Sequence, residues 1–160
     1  MGQFSKKFFS TVVTLSTVLS TMGTAAFALP TAASAATLVN GDLIKGTRDS
    51  SVYYYYGNQR YVFPNATTYF SWFRDFSAVK TVSQSELEMI ELNGRNITIR
   101  PGTKLVKVQS IPKVYAVTAG GRLQWIQSEQ IASSLYGANW ARRVTDVPDS
   151  FWGNYSVDSA

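Results

Sequence analysis

Residues 52–63 read Val-Tyr-Tyr-Tyr-Tyr-Gly-Asn-Gln-Arg-Tyr-Val-Phe, a pattern that predicts two short strands joined by a turn. Tyr and Val favour strands, and Gly57-Asn58 supplies the chemistry of a tight hairpin turn. The stretch Val-Tyr-Ala-Val-Thr-Ala-Gly-Gly-Arg-Leu-Gln-Trp at residues 114–125 follows 62 positions later, with Gly120-Gly121 at its turn. The sequence therefore predicts two β-hairpins of similar design.

The similarity extends outward from the two hairpins. Leu43-Ile44-Lys45 aligns without a gap with Leu105-Val106-Lys107, at the same spacing of 62 residues. Self-similarity at a fixed period indicates a unit reused for its surface or its packing. We therefore predict an α+β fold of two tandem repeats, residues 36–101 and 102–157, with a tail at 158–160. Each repeat is expected to be a β-hairpin or short antiparallel sheet followed by two short helices, and both are expected to pack as one unit.

A helix start follows each predicted hairpin. Asn65 and Ser128 are good helix caps placed before apolar residues with helical spacing. After Ser128 the expected buried face consists of Ile131, Ala132 and Leu135. Residues 83–86, Ser-Gln-Ser-Glu, form a capping box for a second helix, and residues 146–149 place an acidic cap and a proline at the same point of the second half. Residues 96–100 alternate between polar and apolar side chains, which predicts a further strand between the halves.

Residues 1–35 have the features of a secretory signal peptide. A positive start at Lys6-Lys7 precedes an uncharged apolar run at 8–29, and Ala33-Ser34-Ala35 offers the small residues that signal peptidase recognises. We therefore expect a secreted, extracellular protein that begins at Ala36, with a retained membrane anchor as the alternative. No other apolar stretch is long enough to span a bilayer, so no transmembrane segment is expected after cleavage.

The composition excludes several function classes. The sequence contains neither His nor Cys, so Ser-His-Asp and Cys-His nucleophiles and ordinary zinc sites are impossible. Neither a glycine-rich phosphate loop nor the EF-hand spacing occurs, and we expect no cofactor and no metal site. Without Lys6 and Lys7, 13 basic residues face 10 acidic ones and are dispersed, so no nucleic-acid partner is expected.

Paired carboxylates are the remaining route to an enzyme, as in glycoside hydrolases. Most acidic residues have a structural explanation, because they lie in first helical turns or on the polar side of a helix. Asp75, in a predicted loop, is the exception. We therefore expect no catalytic residues, and a glycoside hydrolase-like enzyme is the third hypothesis for the function.

The tyrosine run carries the candidate binding residues. Alternate side chains of a strand face opposite sides, and Tyr53 recurs as Tyr115, which predicts a core position for both. The residues that align with Tyr54 and Tyr56 are Ala and Thr instead. Tyr54 and Tyr56, together with Trp72, are therefore candidates for an exposed binding surface. Such a surface serves a protein interface or stacks against a sugar ring, and the interface is favoured.

Two arginines and two lysines align between the halves. Arg60 aligns with Arg122 just after each hairpin turn, where a guanidinium either donates to loop carbonyls or binds an anionic ligand. The structural role is favoured for both. Lys45 aligns with Lys107, and both are predicted to project from outer strands, where charges discourage edge pairing.

Several strings together resemble a known kind of bacterial module: residues 41–45, 52–54, 60–65, 136–140 and 147–151. The chain resembles the N-terminal module of exported cell-envelope proteins, among them surface-layer-like and other large secreted proteins of candidate-phylum bacteria. In those proteins the module precedes Ig-like or other repeats. The resemblance covers essentially the whole mature chain and implies no catalytic or binding residues. It implies a non-enzymatic structural or adhesion module whose partners are envelope proteins or further copies of itself. The alternative is a module that binds cell-wall glycans.

Overall fold

The computed structural model describes residues 37–158, which fall within one compact unit, Ser34–Ala160. The expected signal peptide at residues 1–35 lies outside the described residues. The described part is α+β, as predicted, and holds two five-stranded sheets and four short α-helices. Residues 37–101 are called the first half below, and residues 102–158 the second half.

The first half forms one sheet with a helix on each face. Its strand order is β4-β1-β2-β3-β5, in which the three central strands are antiparallel and the two outer strands run parallel to their neighbours. The elements are β1 (Leu43–Lys45), β2 (Tyr53–Tyr56), β3 (Gln59–Val62), α1 (Ala66–Trp72), β4 (Val79–Thr81), α2 (Gln84–Met89) and β5 (Glu91–Leu92).

The second half forms the other sheet, with the strand order β10-β8-β7-β6-β9. Its three central strands are again antiparallel and its two outer strands again parallel to their neighbours. The elements are β6 (Leu105–Val108), β7 (Ile111–Thr118), β8 (Arg122–Trp125), α3 (Glu129–Tyr136), β9 (Val144–Asp146), α4 (Asp149–Trp152) and β10 (Ser156–Val157), with short 3-10 helices at Ala119–Gly121 and Trp140–Arg143.

The outer strands correct two predictions. Neither sheet is purely antiparallel, because each outer strand follows its neighbour later in the sequence and pairs with it in parallel. Consequently β1 and β6, which carry Lys45 and Lys107, are interior strands, and the prediction that these lysines lie on outer strands is wrong. Lys107 instead pairs with Asp146 on the neighbouring strand, with 3.5 Å between Nζ and Oδ1.

Side-chain alternation on β1 and β2 fills a core on both faces of the first sheet. One face packs Leu43, Val52 and Phe63 against Tyr69 of α1. The other packs Ile44, Tyr53 and Val82 against Leu87 of α2. Tyr53 and Tyr115 are 9% and 5% exposed, which confirms the prediction that both are core residues.

The segment 96–100 is not the strand that its alternation predicts. Its backbone N–H groups donate to three different partners: Ile97 to the Val62 carbonyl at 2.9 Å, Ile99 to the Tyr155 hydroxyl at 3.0 Å, and Arg100 to the Ser71 hydroxyl at 2.9 Å. The side chain of Ile99 is buried in the core of the second half, beside Val106, Tyr115 and Leu123. The segment therefore ties the two halves together instead of extending either sheet.

The predicted caps of α1, α2 and α3 are confirmed. Oδ1 of Asn65 accepts the N–H of Thr68 at 2.8 Å, and Oγ of Ser128 accepts the N–H of Ile131 at 3.2 Å. Ser83 and Glu86 form the complete capping box of α2. The predicted acidic cap at residues 146–149 is wrong, because Asp146 lies in β9 and Pro148 is the N-cap residue of α4, without a side-chain cap hydrogen bond. The predicted buried face of α3, Ile131 with Ala132 and Leu135, is wrong, since Ala132 is buried but Ile131 and Leu135 are exposed.

Tyr155 leads to a prediction about stability at alkaline pH. Burial raises the pKa of its hydroxyl, which is also the acceptor for the Ile99 N–H. A raised folded-state pKa means that the free energy of unfolding is intact below the unfolded pKa of about 10 and falls as the pH rises through the folded pKa. Tyr155→Phe is expected to cost about 1–3 kcal/mol at neutral pH, through the unpaired N–H, and to flatten the alkaline decline.

Urea unfolding as a function of pH checks this expectation, with Tyr136→Phe as the matched control. Tyr136 is half-buried, and its hydroxyl makes no hydrogen bond within residues 37–158. Tyr69, whose pKa burial also raises, is unchanged in both variants, so the difference between them isolates Tyr155. An equal alkaline slope in both variants would contradict the assignment.

Candidate functional site

Two of the predicted binding residues line one groove. Tyr54 projects from β2 on the side of α1, and Trp72 is the last residue of α1. Their side chains bound a groove of about 380 Å³. Its remaining walls come from residues that the sequence did not single out: Gly41, Phe63, Phe73 and Ile97. Phe63 and Phe73 meet at a ring-centroid distance of 6.0 Å, so the floor of the groove is continuous with the core.

Tyr56 extends this surface along β2. Its ring lies 6.3 Å from that of Tyr54, with only 8° between the two ring planes, and 53% of the residue is exposed. Tyr55 points to the other side, and its hydroxyl donates to Asn58 in the hairpin turn at 2.8 Å. The predicted alternation is thus present, and Tyr54, Tyr56 and Trp72 are called the aromatic surface below.

Trp72 is held in a fixed position by the segment 96–100. Its indole N–H donates to the Thr98 carbonyl at 2.7 Å, and the guanidinium of Arg100 lies 5.9 Å from its ring centroid. The residue nevertheless remains 39% exposed. Sequence reasoning missed both contacts, because nothing in the local pattern around Trp72 indicates which distant carbonyl receives its N–H.

The lining of this groove is largely apolar. The Trp72 N–H is already used by Thr98, and the Gly41 N–H donates to the Tyr55 carbonyl at 2.9 Å. The Tyr54 hydroxyl is the remaining polar side-chain group on the walls. A groove of this kind suits an apolar side chain better than a hydroxyl-rich ligand, which needs several hydrogen-bond partners.

Arg60 and Arg122 lie apart from the aromatic surface and from each other. Arg60 donates from Nε to the Ile90 carbonyl at 2.9 Å, and its guanidinium lies 4.9 Å from the ring centroid of Tyr53. Arg122 is exposed and pairs with Asp158 at 2.8 Å, a hydrogen bond that raises the pKa of the guanidinium. Both arginines thus have partners within the chain.

The alignment of Arg60 with Arg122 is wrong in strand register. The first hairpin pairs Tyr56 with Gln59 across a two-residue loop, whereas the second pairs Thr118 with Arg122 across three residues. The extra residue shifts the equivalences in the next strand and at the start of the following helix from a spacing of 62 to one of 63. The residue in the place of Arg60 is therefore the fully buried Leu123.

Asp75 is the acidic residue for which the sequence offered no structural explanation. Asp75 has a structural role that the sequence did not indicate, because its carboxylate accepts both the N–H and the hydroxyl of Ser77. These bonds lower its pKa, whereas a general acid needs a raised one. Among residues 37–158, no three His, Cys, Asp or Glu residues lie together as a metal site would need.

In the part of the chain from 37 to 158, no helix combines the length and the apolar composition that crossing a bilayer requires.

Comparison with known proteins yields no match. No protein-family model matches the chain, and neither a curated protein nor a solved structure does.

Proposed function

We propose that the chain is a secreted, non-enzymatic module of the bacterial cell envelope that docks on an envelope protein, or on a further copy of itself, through the aromatic surface. The observation that carries the proposal is the groove between Tyr54 and Trp72, which is exposed, apolar and rigidly held. Its secretion rests on the signal-peptide features of residues 1–35.

The proposal includes an organisation as two tandem repeats, residues 36–101 and 102–157. The matching strand orders of the two sheets support it, since each has three antiparallel central strands and two parallel outer strands in the same sequence relationship. The helix caps Asn65 and Ser128 also fall at the spacing of 63 that the hairpin registers give. Repeats of this kind supply surfaces for assembly more often than reaction centres.

A protein partner fits the aromatic surface for energetic reasons. Tyr and Trp are the residues that most often dominate protein–protein binding energy. Trp72 is already immobilised by Thr98 and Arg100, and Tyr54 is half-buried, so docking loses little side-chain entropy. A glycan on this surface has less support, because the groove offers few free polar groups.

The test uses the chain from Ala36 with Tyr56→Ser, which removes an exposed ring that lies outside the core clusters. We expect retention on isolated bacterial cell envelopes, or self-association measured by light scattering, to weaken roughly 10- to 30-fold, the size of a hot-spot loss. Leu135→Ser is the matched control, since Leu135 is 65% exposed and lies outside the aromatic surface. It should leave both measurements unchanged.

Enzymatic treatment of the envelopes separates a protein partner from a glycan. Protease treatment should abolish the retention that depends on Tyr56, whereas digestion of the cell-wall glycan should not. Tyr56-dependent retention that survives protease and disappears on glycan digestion would overturn the docking proposal, as would equal losses in Tyr56→Ser and Leu135→Ser.

A further inference from the structure

The second half contains a different groove, where the start of α3 meets the hairpin. It encloses about 280 Å³, and its walls include Lys113, Trp125, Gln127, Glu129 and Trp140. Trp125 ends β8, Glu129 begins α3, and Trp140 begins the 3-10 helix that follows α3. This site is called the Trp140 groove below.

The Trp140 groove combines aromatic rings with unpaired polar groups. Trp125 is 42% exposed, and the ammonium of Lys113 lies 4.5 Å from its ring centroid. Among residues 37–158, the side chains of Gln127 and Glu129 have no hydrogen-bond or ion-pair partner. The rim therefore offers amide and ammonium donors beside carboxylate and amide acceptors. This lining differs from that of the aromatic surface, whose polar groups are few.

The first half has a groove at the corresponding place, and a side chain occupies part of it. At the spacing of 63, the partner of Ala132 is Tyr69, whose ring stacks on Phe76 with 4.5 Å between centroids and 20° between planes. Phe76 lies between α1 and β4, as Trp140 lies between α3 and β9. In the second half Ala132 supplies no ring and is itself only 1% exposed, and Trp140 lines a groove of about 280 Å³, against about 380 Å³ in the first half.

The residues around the edges of the two grooves differ in polarity. The edge of the first groove includes Ser51, Pro64 and Ala66. The equivalent residues at the Trp140 groove are, in the same order, Lys113, Gln127 and Glu129. Three small or apolar residues are thus matched by three long polar ones. A ligand in the Trp140 groove would therefore find hydrogen-bond partners around its edge that the groove of the first half does not offer at these places.

We propose that the Trp140 groove binds a neutral pyranose unit of a cell-wall glycan. A pyranose ring has a face of C–H groups, which packs on the electron-rich face of an indole, and a rim of hydroxyls that both donate and accept hydrogen bonds. Gln127 and Glu129 provide acceptors, and Gln127 and Lys113 provide donors. One ammonium and one carboxylate balance each other, which favours a neutral sugar over an acidic one. This site is separate from the aromatic surface and does not depend on the docking proposed there.

The experiment is calorimetric titration of the purified chain with tetra-N-acetylchitotetraose and cellotetraose, two soluble neutral oligosaccharides. Binding to at least one is expected, and Gln127→Ala and Glu129→Ala should each weaken it several-fold, while Trp140→Ala should weaken it roughly tenfold or more. Gln127 and Glu129 are exposed, so their variants keep the fold. Gln130→Ala, an exposed glutamine on the same helix outside the groove, is the matched control and should bind like the unaltered chain.

A second measurement locates the sugar. The indole N–H resonance of Trp140 should shift on titration, and that of Trp72 should not. No heat and no shift with either oligosaccharide at millimolar concentration would overturn the proposal, and so would equal weakening in Gln130→Ala. Binding of N-acetyltyrosinamide but of neither sugar would also overturn it, by identifying the occupant as an aromatic side chain. Tyr56→Ser is expected to leave sugar binding intact, so this proposal and the docking proposal can fail separately.

Discussion

Ile99→Ala is expected to lower the free energy of unfolding by about 2–4 kcal/mol, one of the largest effects of any single truncation in this chain. Ile99 is only 2% exposed and is packed within the core of the second half. Truncation removes buried methyl groups and leaves a cavity, because the surrounding β-branched and aromatic side chains relax only partly. Urea unfolding monitored by circular dichroism measures the change.

Ile131→Ala is the matched control for this truncation. Ile131 lies on α3 and is 40% exposed, so the same chemical change removes much less buried surface. Ala also favours a helix more than Ile does, which offsets part of the loss. We expect a change within about 0.5 kcal/mol, and equal effects at the two positions would show that Ile99 does not pack as described.

The position of Ile99 gives this prediction a second consequence. The backbone beside it is bonded to the first half, through the Ile97 N–H to the Val62 carbonyl, while its own side chain belongs to the second core. The segment 96–100 also supplies the carbonyl that holds Trp72. Loss of packing at Ile99 should therefore loosen the wall of the aromatic surface as well as the second core.

Local chemistry made the hairpins and helix caps predictable from the sequence. The cap at Asn65 and the capping box at Ser83 involve residues three positions apart, so the sequence contains both partners of each hydrogen bond. Alternation along the strand likewise separated Tyr53 from Tyr54. These features depend on short-range geometry, which the neighbouring residues determine.

The parallel outer strands were not predictable by the same means. β5 and β10 have two residues each, which is too short for any alternation to be recognised. The prediction of a strand at 96–100 was wrong for the opposite reason. The alternation of its side chains is clear, but its N–H groups donate to three separate parts of the chain. Strand patterns indicate which side chains share a face, and they do not identify the partner of the backbone.

The candidate site was predictable only in part. Tyr54 and Trp72 were singled out by exposure arguments and do line one groove, but the walls formed by Phe73 and Ile97 depend on packing between distant segments. The Trp140 groove was not predicted, because an ungapped alignment of the two halves matches Trp125 with Phe63. One extra residue in the second hairpin loop breaks that match, and such a shift becomes visible only in the strand register.

Gly121→Ala is expected to cost about 2–4 kcal/mol of unfolding free energy, from two sources that add. Gly121 has φ of 74°, in the left-handed region that L-residues with a Cβ adopt at a penalty. A Cβ at this position would also lie 2.9 Å from Cγ2 of Thr98 and 3.4 Å from the Asn154 carbonyl oxygen. Thermal and urea unfolding measure the total cost.

Gly120→Ala separates the two sources, because Gly120 has φ of 73° but nothing within 4 Å of its added Cβ. It should lose only the conformational part, about 1–2 kcal/mol. The excess in Gly121→Ala then measures the contact with Thr98, whose carbonyl accepts the Trp72 indole N–H. That pressure should shift the Trp72 indole resonance in Gly121→Ala and leave it in place in Gly120→Ala. Equal losses of stability in the two variants, with the Trp72 resonance in the same place in both, would contradict the close contact between Gly121 and Thr98 in the segment that holds the aromatic surface.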